Sequence, residues 1–207
     1  MIRCIVFDFD GTLVDSDQIK HDGFFAVTRE LDPDSEIMRG VLARKPGDRW
    51  RVFESFIAIA QQSGSVGAVL AELVAAYTQY CREMIAKAAE ITGAEAALKK
   101  LTEDGYALYV NSATPDVPLT ELVGLRRIDA YFSGVYGSGR SKHDNLVVIA
   151  KSEKLTPDQI VMVGNGPDDK EAASLFGCRF IAVGNHEGAI SDLSVLPNLL
   201  HPQKADV

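Results

Sequence analysis

The sequence predicts an α/β protein whose doubly wound parallel sheet is interrupted by an inserted α-helical domain. After Glu90, short apolar runs rich in β-branched residues alternate with helical patterns, an order typical of right-handed βαβ units. From about Gln18 to Glu90, apolar residues instead recur at helical spacing without an intervening strand. We therefore expect an α/β core domain formed by residues 1–16 and 90–207, and a helical domain formed by residues 17–89.

The first strand and the inserted helices follow from local composition. Residues 2–7, "IRCIVF", are mostly apolar and partly β-branched, which predicts a buried strand. Helices are predicted over 18–31, 48–62 and 69–89, the last from apolar residues at helical spacing: Leu70, Leu73, Tyr77, Cys81 and Met84. The breaks fall at "DPDS" and "RKPGD", which contain the helix breakers Pro33, Pro46 and Gly47. Trp50 is expected in the core of the inserted domain rather than as a platform for a sugar ring.

The second half of the chain predicts the rest of the sheet. Thr92 and Glu95 have the spacing of a capping box, so a helix is expected from there to about Asp104. Pro115 in "SATP" is placed to begin another helix. The remaining predicted elements are the strands 106–111, 132–137, 159–164 and 179–184 and the helices 142–154 and 167–177. After Asn185 the pattern is weak, and Pro197 and Pro202 argue against a long helix.

Charge and cysteine usage exclude several classes of protein. The net charge of −8 argues against nonspecific binding to nucleic acid or to a membrane surface, and no apolar run reaches the length of a membrane span. Asp8 interrupts the N-terminal apolar run, so no signal peptide is expected. Cys4, Cys81 and Cys178 lack the spacing of a disulfide framework or a zinc site. We expect reduced thiols in a cytoplasmic protein, present as a monomer or a homodimer.

Polar residues of complementary kinds follow four of the predicted strands or open the helices after them. They are Asp8, Asp10, Gly11 and Thr12; Ser112, Ala113 and Thr114; Lys142 in "GSGRSKHD"; and Asn165, Asp168 and Asp169 in "VGNGPDD". In a parallel sheet, ligands bind outside the carboxyl ends of the strands, so these groups are expected to meet. Carboxylate and amide oxygens suit a hard cation such as Mg2+, whereas a hydroxyl, helix-start amides and a lysine suit phosphate.

Each of these signals has an ordinary structural interpretation when it is taken alone. A D-x-D pair is often a solvated turn, a serine after a strand is often an N-cap, and a lone lysine early in a helix is usually a surface residue. "GNGPDD" is also a reasonable helix entry, because acidic residues in the first turn favour the helix dipole. Their order, each at a strand-to-helix junction, is what indicates a single site.

The same segments resemble the haloacid dehalogenase (HAD) superfamily of phosphohydrolases. The resemblance is carried by "FDFDGTLVDSD" (7–17), "VNSAT" (110–114), Lys142 and "VGNGPDD" (163–169), which span nearly the whole chain in the order of the family. It is nearest to the phosphoglycolate-phosphatase-like and β-phosphoglucomutase-like branch. This resemblance implies a HAD-like Rossmannoid core with a helical cap inserted after the first motif.

The resemblance also implies roles for individual residues. Asp8 would be the nucleophile that forms an aspartyl-phosphate, and Asp10 the general acid and base. Phosphate would be bound by four residues: Gly11, Ser112, Ala113 and Lys142. Mg2+ would be bound by Asp8, Asp10, Asn165 and Asp169, with the main-chain carbonyl of Asp10 among the ligands.

One position departs from the pattern of the family. Where the family usually has Gly-Asp, this chain has Gly164 and Asn165. An amide oxygen can still bind a hard cation, but it brings no negative charge, so weaker metal binding is expected. Whether Asp168 or Asp169 compensates is left open, and so is a decayed, noncatalytic site.

The expected substrate is a small phosphomonoester, with weak support for a sugar phosphate. The candidate residues for substrate choice in the cap are Arg44, Lys45 and Arg49, together with Lys20 and His21 near the expected hinge. For any one of them, a solvated helix junction is an equally good interpretation. A sugar phosphomutase would share every core motif, and a noncatalytic protein that binds a phosphate ligand would keep the fold. Both stay open as alternatives to a Mg2+-dependent phosphatase, and a dehalogenase is less favoured.

Overall fold

The computed structural model describes residues 1–45, 47–60 and 66–200. Across these ranges five strands form one sheet, with strands β1 (Cys4–Phe7), β2 (Ala107–Asn111), β3 (Gly134–Tyr136), β4 (Ile160–Gly164) and β5 (Arg179–Ala182). Their order is β3-β2-β1-β4-β5, and every neighbouring pair is parallel. The predicted α/β fold with a doubly wound parallel sheet is confirmed.

The helices fall into two sets along the chain. The first set is α1 (Asp17–Thr28), α2 (Glu36–Ala43), α3 (Arg49–Ala60) and α4 (Val66–Ile85). The second set is α5 (Ala94–Glu103), α6 (Asp116–Leu125), α7 (Lys142–Glu153), α8 (Pro167–Phe176) and α9 (Leu196–Leu200). The chain forms two compact units, one of Met1–Ser16 with the chain from Ala86 onward, and one of Asp17–Ile85.

The central strand β1 is apolar because both of its faces are covered. All four of its residues are fully buried, as expected for a strand inside a parallel sheet. Cys4 and Val6 share a core with residues of α7 and α8, including Ile149 and Ala173. Because successive side chains of a strand point to opposite faces, the alternate residues Ile5 and Phe7 are buried on the other face.

The smaller unit is an all-helical assembly with an aromatic centre. Helix α4 packs against α1 and α3, and α2 packs against α3. Phe24, Phe53 and Tyr77 are in mutual contact, with ring centroids 4.4–5.8 Å apart. Such aromatic clusters stabilise a helical core beyond the burial of their area.

Several predicted helix boundaries differ from the structure. The helix predicted over 18–31 ends at Thr28, and the one predicted over 69–89 begins at Val66 and ends at Ile85. Helix α2 was not predicted as a separate element. Pro46, residues 61–62 of the helix predicted over 48–62, and Pro202 lie outside the described residues.

The prediction for Trp50 is wrong, because its side chain is 48% exposed instead of buried in a core. Its neighbours on α3, Val52 and Phe53, are the residues that turn inward. Helical spacing shows which residues share a face of a helix, but it does not show which face is buried. The sequence around Trp50 therefore did not show that this residue faces solvent.

The predicted capping box of Thr92 and Glu95 is also wrong. Helix α5 begins at Ala94 with Gly93 as its N-cap, at φ 76°, and no side chain caps it there. The N–H of Glu95 donates instead to Oε2 of Glu90, at 3.2 Å. The carbonyl of Thr92 accepts a hydrogen bond from the N–H of Leu193, at 2.8 Å, so a distant segment contacts the chain just before this helix starts.

Two predictions about the environment of the chain can be compared with the structure. Among the described residues, no helix combines the length and the apolar character needed to cross a membrane. Cys4, Cys81 and Cys178 all lie in the described ranges, and none of them forms a disulfide there.

Candidate active site

The register of the sheet brings the predicted site residues of the larger unit to one edge. Phe7 pairs with Val110 on β2 and with Val163 on β4, so the segments that follow these three residues leave the sheet side by side. The N–H of Asp8 donates to the carbonyl of Val163, at 2.8 Å. Asp8 is therefore fixed at the carboxyl end of the central strand, where parallel sheets bind ligands.

Lys142 joins this edge from the first turn of α7. Its Nζ atom lies 3.2 Å from Oδ1 of Asp8, 2.8 Å from Oδ2 of Asp168 and 2.5 Å from Oδ1 of Asp169. Burial by itself would lower the pKa of Lys142, but the carboxylates of Asp8 and Asp169 raise it above its ordinary value. The lysine is therefore a fixed positive charge among three carboxylates.

Asp8 is held in an unusual electrostatic environment for a carboxylate. Burial raises the pKa of Asp8 to about 7, Lys142 opposes that rise, and the charges of Asp169 and Asp10 add to it. Three carboxylates contact Lys142, so the negative charge here exceeds the positive charge that this lysine supplies. An additional cation would favour the ionised form of Asp8.

The Asp10 carboxylate is surrounded by hydroxyl groups. Oδ1 accepts from Ser16 Oγ at 2.8 Å, and Oδ2 accepts from Thr114 Oγ1 at 2.8 Å and from Ser112 Oγ at 3.4 Å. Ser16 and Thr114 are both buried. A hydroxyl can donate to a carboxylate and accept from a carboxylic acid, so this environment suits a group that changes its protonation state.

The segment after β2 combines a buried serine with an exposed neighbour. The N–H of Ser112 donates to the carbonyl of Tyr136, and its Oγ accepts from the N–H of Thr114, at 3.1 Å. Ala113 between them is exposed, and a cleft of about 460 Å³ in the larger unit is lined by both Ser112 and Ala113 and by Lys142. The N–H of Gly11, another predicted phosphate ligand, donates to the carbonyl of Val14 within its own turn.

Asp169 and Asn165 both make contacts that hold the "VGNGPDD" loop. Asp169 is fully buried, with Oδ2 accepting from the N–H of Gly166 at 2.9 Å while Oδ1 contacts Lys142. Burial raises the pKa of Asp169, and Lys142 opposes the rise. Oδ1 of Asn165 accepts from Thr12 Oγ1 at 3.4 Å, which joins this loop to the first motif.

The donor set at this edge fits a hard divalent cation in its chemistry. In the described part of the chain, no group of three or more His, Cys, Asp and Glu residues has the arrangement of a metal site. The predicted set differs from such a cluster, because it includes an amide oxygen from Asn165 and a main-chain carbonyl from Asp10. Oxygen donors beside an excess of buried carboxylates are what Mg2+ binds in proteins.

The predicted cap residues lie in the smaller unit and have contrasting environments. Arg44, Lys45 and His21 are exposed, and His21 Nδ1 lies 3.4 Å from Oδ1 of Asp22. Arg49 is half-buried: its Nη1 donates to Thr78 Oγ1 at 3.2 Å, and its guanidinium lies 5.3 Å from the centroid of the Tyr77 ring.

Lys20 differs from the other four cap residues. Its carbonyl accepts from the hydroxyl of Tyr77, at 3.1 Å, and its side chain is only partly exposed. Arg49 and Lys20 are thus partly buried, whereas Arg44, Lys45 and His21 are exposed, with His21 beside Asp22 and the ring of Phe25.

Sequence reasoning missed four polar residues that hold the site. The hydroxyls of Ser16 and Thr114 hold Asp10, and the amides of Asn111 and Asn145 hold the start of α7. Ser16 and Thr114 lie inside the quoted motifs, but their hydroxyls were not assigned a role. Asn111 could have been found from the sequence, because it is a polar residue at the end of an apolar strand.

Comparison with known families gives a direct assignment. The sequence model of the family described as haloacid dehalogenase-like hydrolase matches residues 5–183. The chain belongs to this family. The match includes the first motif, Ser112, Lys142 and the "VGNGPDD" loop, and it confirms the predicted superfamily and the predicted enzyme class of HAD-superfamily hydrolase. A comparison with curated proteins found no match.

Solved HAD structures share the fold along almost the whole chain. A haloacid dehalogenase-like family hydrolase from Streptococcus pneumoniae is 26% identical, with 93% of this chain and 89% of that chain covered and a TM-score of 0.67. A predicted phosphoglycolate phosphatase from Haemophilus somnus 129PT is 16% identical, with 97% and 98% covered and a TM-score of 0.76. A β-phosphoglucomutase from Clostridium difficile is 15% identical, with 95% and 93% covered and a TM-score of 0.68.

Proposed function

We propose that this HAD-family hydrolase is a Mg2+-dependent phosphatase that hydrolyses a small phosphomonoester, a sugar phosphate or a related metabolite, through an aspartyl-phosphate on Asp8. The observation that carries the proposal is the position of Lys142 Nζ, 3.2 Å from Oδ1 of Asp8 at the carboxyl end of the central strand. A nucleophilic carboxylate that receives a dianionic phosphoryl group needs such a buried cation beside it.

In the first step, a carboxylate oxygen of Asp8 attacks phosphorus and forms an O–P bond. The bond from phosphorus to the ester oxygen breaks, and the leaving oxygen takes a proton from Asp10, so that an alcohol departs. Lys142 and Ser112 bind the phosphoryl oxygens as charge moves onto them. The Ser16 and Thr114 hydroxyls keep the Asp10 carboxyl in one orientation during the transfer.

In the second step, water attacks the phosphorus of the aspartyl-phosphate. Asp10, now ionised, accepts one proton from that water, and the bond between phosphorus and Asp8 breaks. Inorganic phosphate leaves, Asp8 returns as a carboxylate, and the proton that Asp10 took from water replaces the one that it gave to the alcohol. The two steps therefore restore the enzyme without any other reagent.

The groups proposed to hold Mg2+ are Asp8, the carbonyl of Asp10 and Asn165, with Asp169 as a fourth candidate. The metal supplies positive charge to the phosphoryl oxygens when it is bound. Both carboxylate oxygens of Asp169 already have partners in the protein: Oδ1 contacts Lys142, and Oδ2 accepts from the N–H of Gly166. Its main role is therefore to hold Lys142. Asp168, which also contacts Lys142, is more exposed and can exchange that contact for another one.

Two alternatives remain outcomes of the same experiment. A sugar phosphomutase is supported by the fold shared with β-phosphoglucomutase, and a noncatalytic phosphate-binding protein is supported by the amide at Asn165. A panel of sugar phosphates is incubated with the protein and Mg2+, with Asp8→Asn as the control. Free phosphate from the wild type alone supports the phosphatase, an isomerised sugar with little phosphate supports the mutase, and neither product supports the noncatalytic protein.

A further inference from the structure

Two buried asparagines connect the start of α7 with the end of β2. Asn111 is the last residue of β2, and Asn145 lies in the first turn of α7. Asn145 Nδ2 donates to Asn111 Oδ1 at 2.9 Å, and Asn111 Nδ2 donates to the carbonyl of Lys142, also at 2.9 Å. Their exposures are 0% and 1%, so each hydrogen bond is made away from solvent. We call this pair the asparagine brace.

The asparagine brace also holds the loop that precedes α7. Asn145 Nδ2 donates to the carbonyl of Gly137, at 3.0 Å. The same loop is tied to the segment after β2, because the N–H of Ser138 donates to the carbonyl of Thr114 at 3.0 Å. Asp116 adds two acceptors, which bind the N–H groups of Gly137 and Gly139. Hydrogen bonds thereby join three parts of the site: the segment after β2, the loop before α7 and the first turn of α7.

This arrangement has a consequence for the two predicted phosphate ligands. Ser112 directly follows Asn111, and Lys142 is the residue whose carbonyl the brace binds. The first turn of α7 sets where the side chain of Lys142 starts, and its Nζ lies 3.2 Å from Oδ1 of Asp8 and 2.5 Å from Oδ1 of Asp169. A site must hold its groups within about 0.5 Å of the productive geometry.

We propose that Asn111 and Asn145 are positioning residues that fix Lys142 relative to Ser112 and Asp8. The inference deepens the proposed function, on which it rests for its kinetic readout. Neither residue touches the substrate. Each acts through Lys142. If the buried amide pair served stability alone, the effect of removing it would not depend on the presence of Lys142.

The kinetic test compares Asn145→Ala and Asn111→Ala with the wild type on p-nitrophenyl phosphate. We expect kcat to fall about 10- to 100-fold, because a displacement of about 1 Å can cost that much. The decisive comparison is the same substitution in a Lys142→Ala background. There the further loss should shrink to about twofold or less, since residues that act as a unit are not additive. Equal losses in both backgrounds would overturn the proposal.

Loss of stability needs a matched control in the same helix. Ile149→Ala removes a fully buried side chain of α7 without removing any hydrogen bond of the brace. Urea unfolding is measured for both variants, and Asn145→Ser, which keeps one donor, replaces Asn145→Ala if the latter does not fold. We expect Ile149→Ala to retain kcat at a loss of stability similar to that of the asparagine variant. A comparable fall in kcat for Ile149→Ala would assign the brace to stability alone.

A crystal structure of the asparagine variant separates this inference from the proposed function. We expect Lys142 Nζ to move by more than about 0.5 Å from its position between Asp8 and Asp169. An unchanged Nζ overturns the positioning role whatever the activity. A wild-type protein that releases no phosphate overturns the proposed function instead, and the displacement of Nζ still decides the role of the brace.

Discussion

Lys142 lies closer to Asp169 than to Asp8, with its Nζ 2.5 Å from Oδ1 of the first and 3.2 Å from Oδ1 of the second. The lysine thus shares its charge between the proposed nucleophile and a fully buried carboxylate from another loop. Asp169 thereby holds Lys142 beside Asp8.

The first prediction concerns the charge of Lys142. Lys142→Ala should lower kcat by at least about 100-fold, the loss typical when a group that stabilises transition-state charge is removed. KM should change much less, because the charge matters most while the phosphoryl group is transferred. Steady-state kinetics on one aryl phosphate measures both constants. An unchanged kcat with a raised KM would make Lys142 a uniform binding contact.

The second prediction concerns the hydroxyls that hold Asp10. Thr114→Val keeps the shape of the side chain but removes the 2.8 Å hydrogen bond to Oδ2. We expect kcat to fall by about 10-fold on alkyl phosphates and by less on p-nitrophenyl phosphate, since a good leaving group needs less help from a general acid. Thr102→Val on α5, which also removes a hydroxyl, is the control and should be neutral. Equal losses on all leaving groups would contradict the proposed role of Asp10.

The third prediction concerns the amide at Asn165. Asn165→Asp adds a charge without adding bulk, so the Mg2+ concentration for half-maximal activity should fall. Each tenfold change would correspond to about 1.4 kcal/mol. Asp169→Ala should act in the opposite direction, because it removes a carboxylate and the partner of Lys142. Mg2+ titrations of activity that superimpose for the wild type and both variants would place the metal elsewhere.

The fourth prediction concerns the close approach of Gly164 and Asp169. A Cβ atom at Gly164 would lie 2.3 Å from Oδ2 and 2.7 Å from Cβ of Asp169, so alanine there must displace the carboxylate. We expect Gly164→Ala to lower the free energy of unfolding by about 1–3 kcal/mol. Gly124→Ala on α6 is the matched control, since a Cβ there meets no atom within 4 Å. It should be neutral or stabilising by up to about 1 kcal/mol. Equal urea midpoints for the two variants would contradict the predicted clash.

The fifth prediction separates structure from recognition in the smaller unit. Arg49→Ala should lower the free energy of unfolding by about 1–2 kcal/mol, because it loses a hydrogen bond to Thr78 and a cation–π contact with Tyr77. Lys45→Ala, at an exposed position, should change it by less than about 0.5 kcal/mol. If Lys45 helps to choose the substrate, Lys45→Ala should still alter the ranking of sugar phosphates. An unaltered ranking would remove Lys45 from recognition.

The parallel sheet could be predicted because two of its strands, β1 and β4, are apolar on both faces. Runs such as the one around Val6 and the one around Met162 have no polar alternation, and each is followed by turn residues and a helical pattern. The candidate site could be predicted as well, because strand ends collect at one edge of such a sheet. Its residues are adjacent in space because each motif follows a strand of the same parallel sheet, and the order of the motifs in the sequence already shows this.

The remaining errors come from interactions between distant segments. Just before α5, the carbonyl of Thr92 accepts from the N–H of Leu193, and no local pattern contains that contact. Asn111 and Asn145, which are hydrogen-bonded to each other, are likewise 34 residues apart along the chain. Trp50 shows the same limit, because helical spacing groups residues by face without showing which face a neighbouring element will cover.

The position of β1 at the centre of the sheet has a consequence for biosynthesis. The ribosome makes this strand first, yet its partners on the two sides are β2, beginning at Ala107, and β4, beginning at Ile160. An apolar segment with both edges unpaired therefore waits until most of the chain has emerged, and long-range parallel pairing of this kind folds slowly. The helical unit of Asp17–Ile85 is made after β1 and before both partners of that strand. Until β4 has been made, the apolar residues of β1 are therefore exposed to aggregation, a risk shared by strands whose edges stay unpaired during folding.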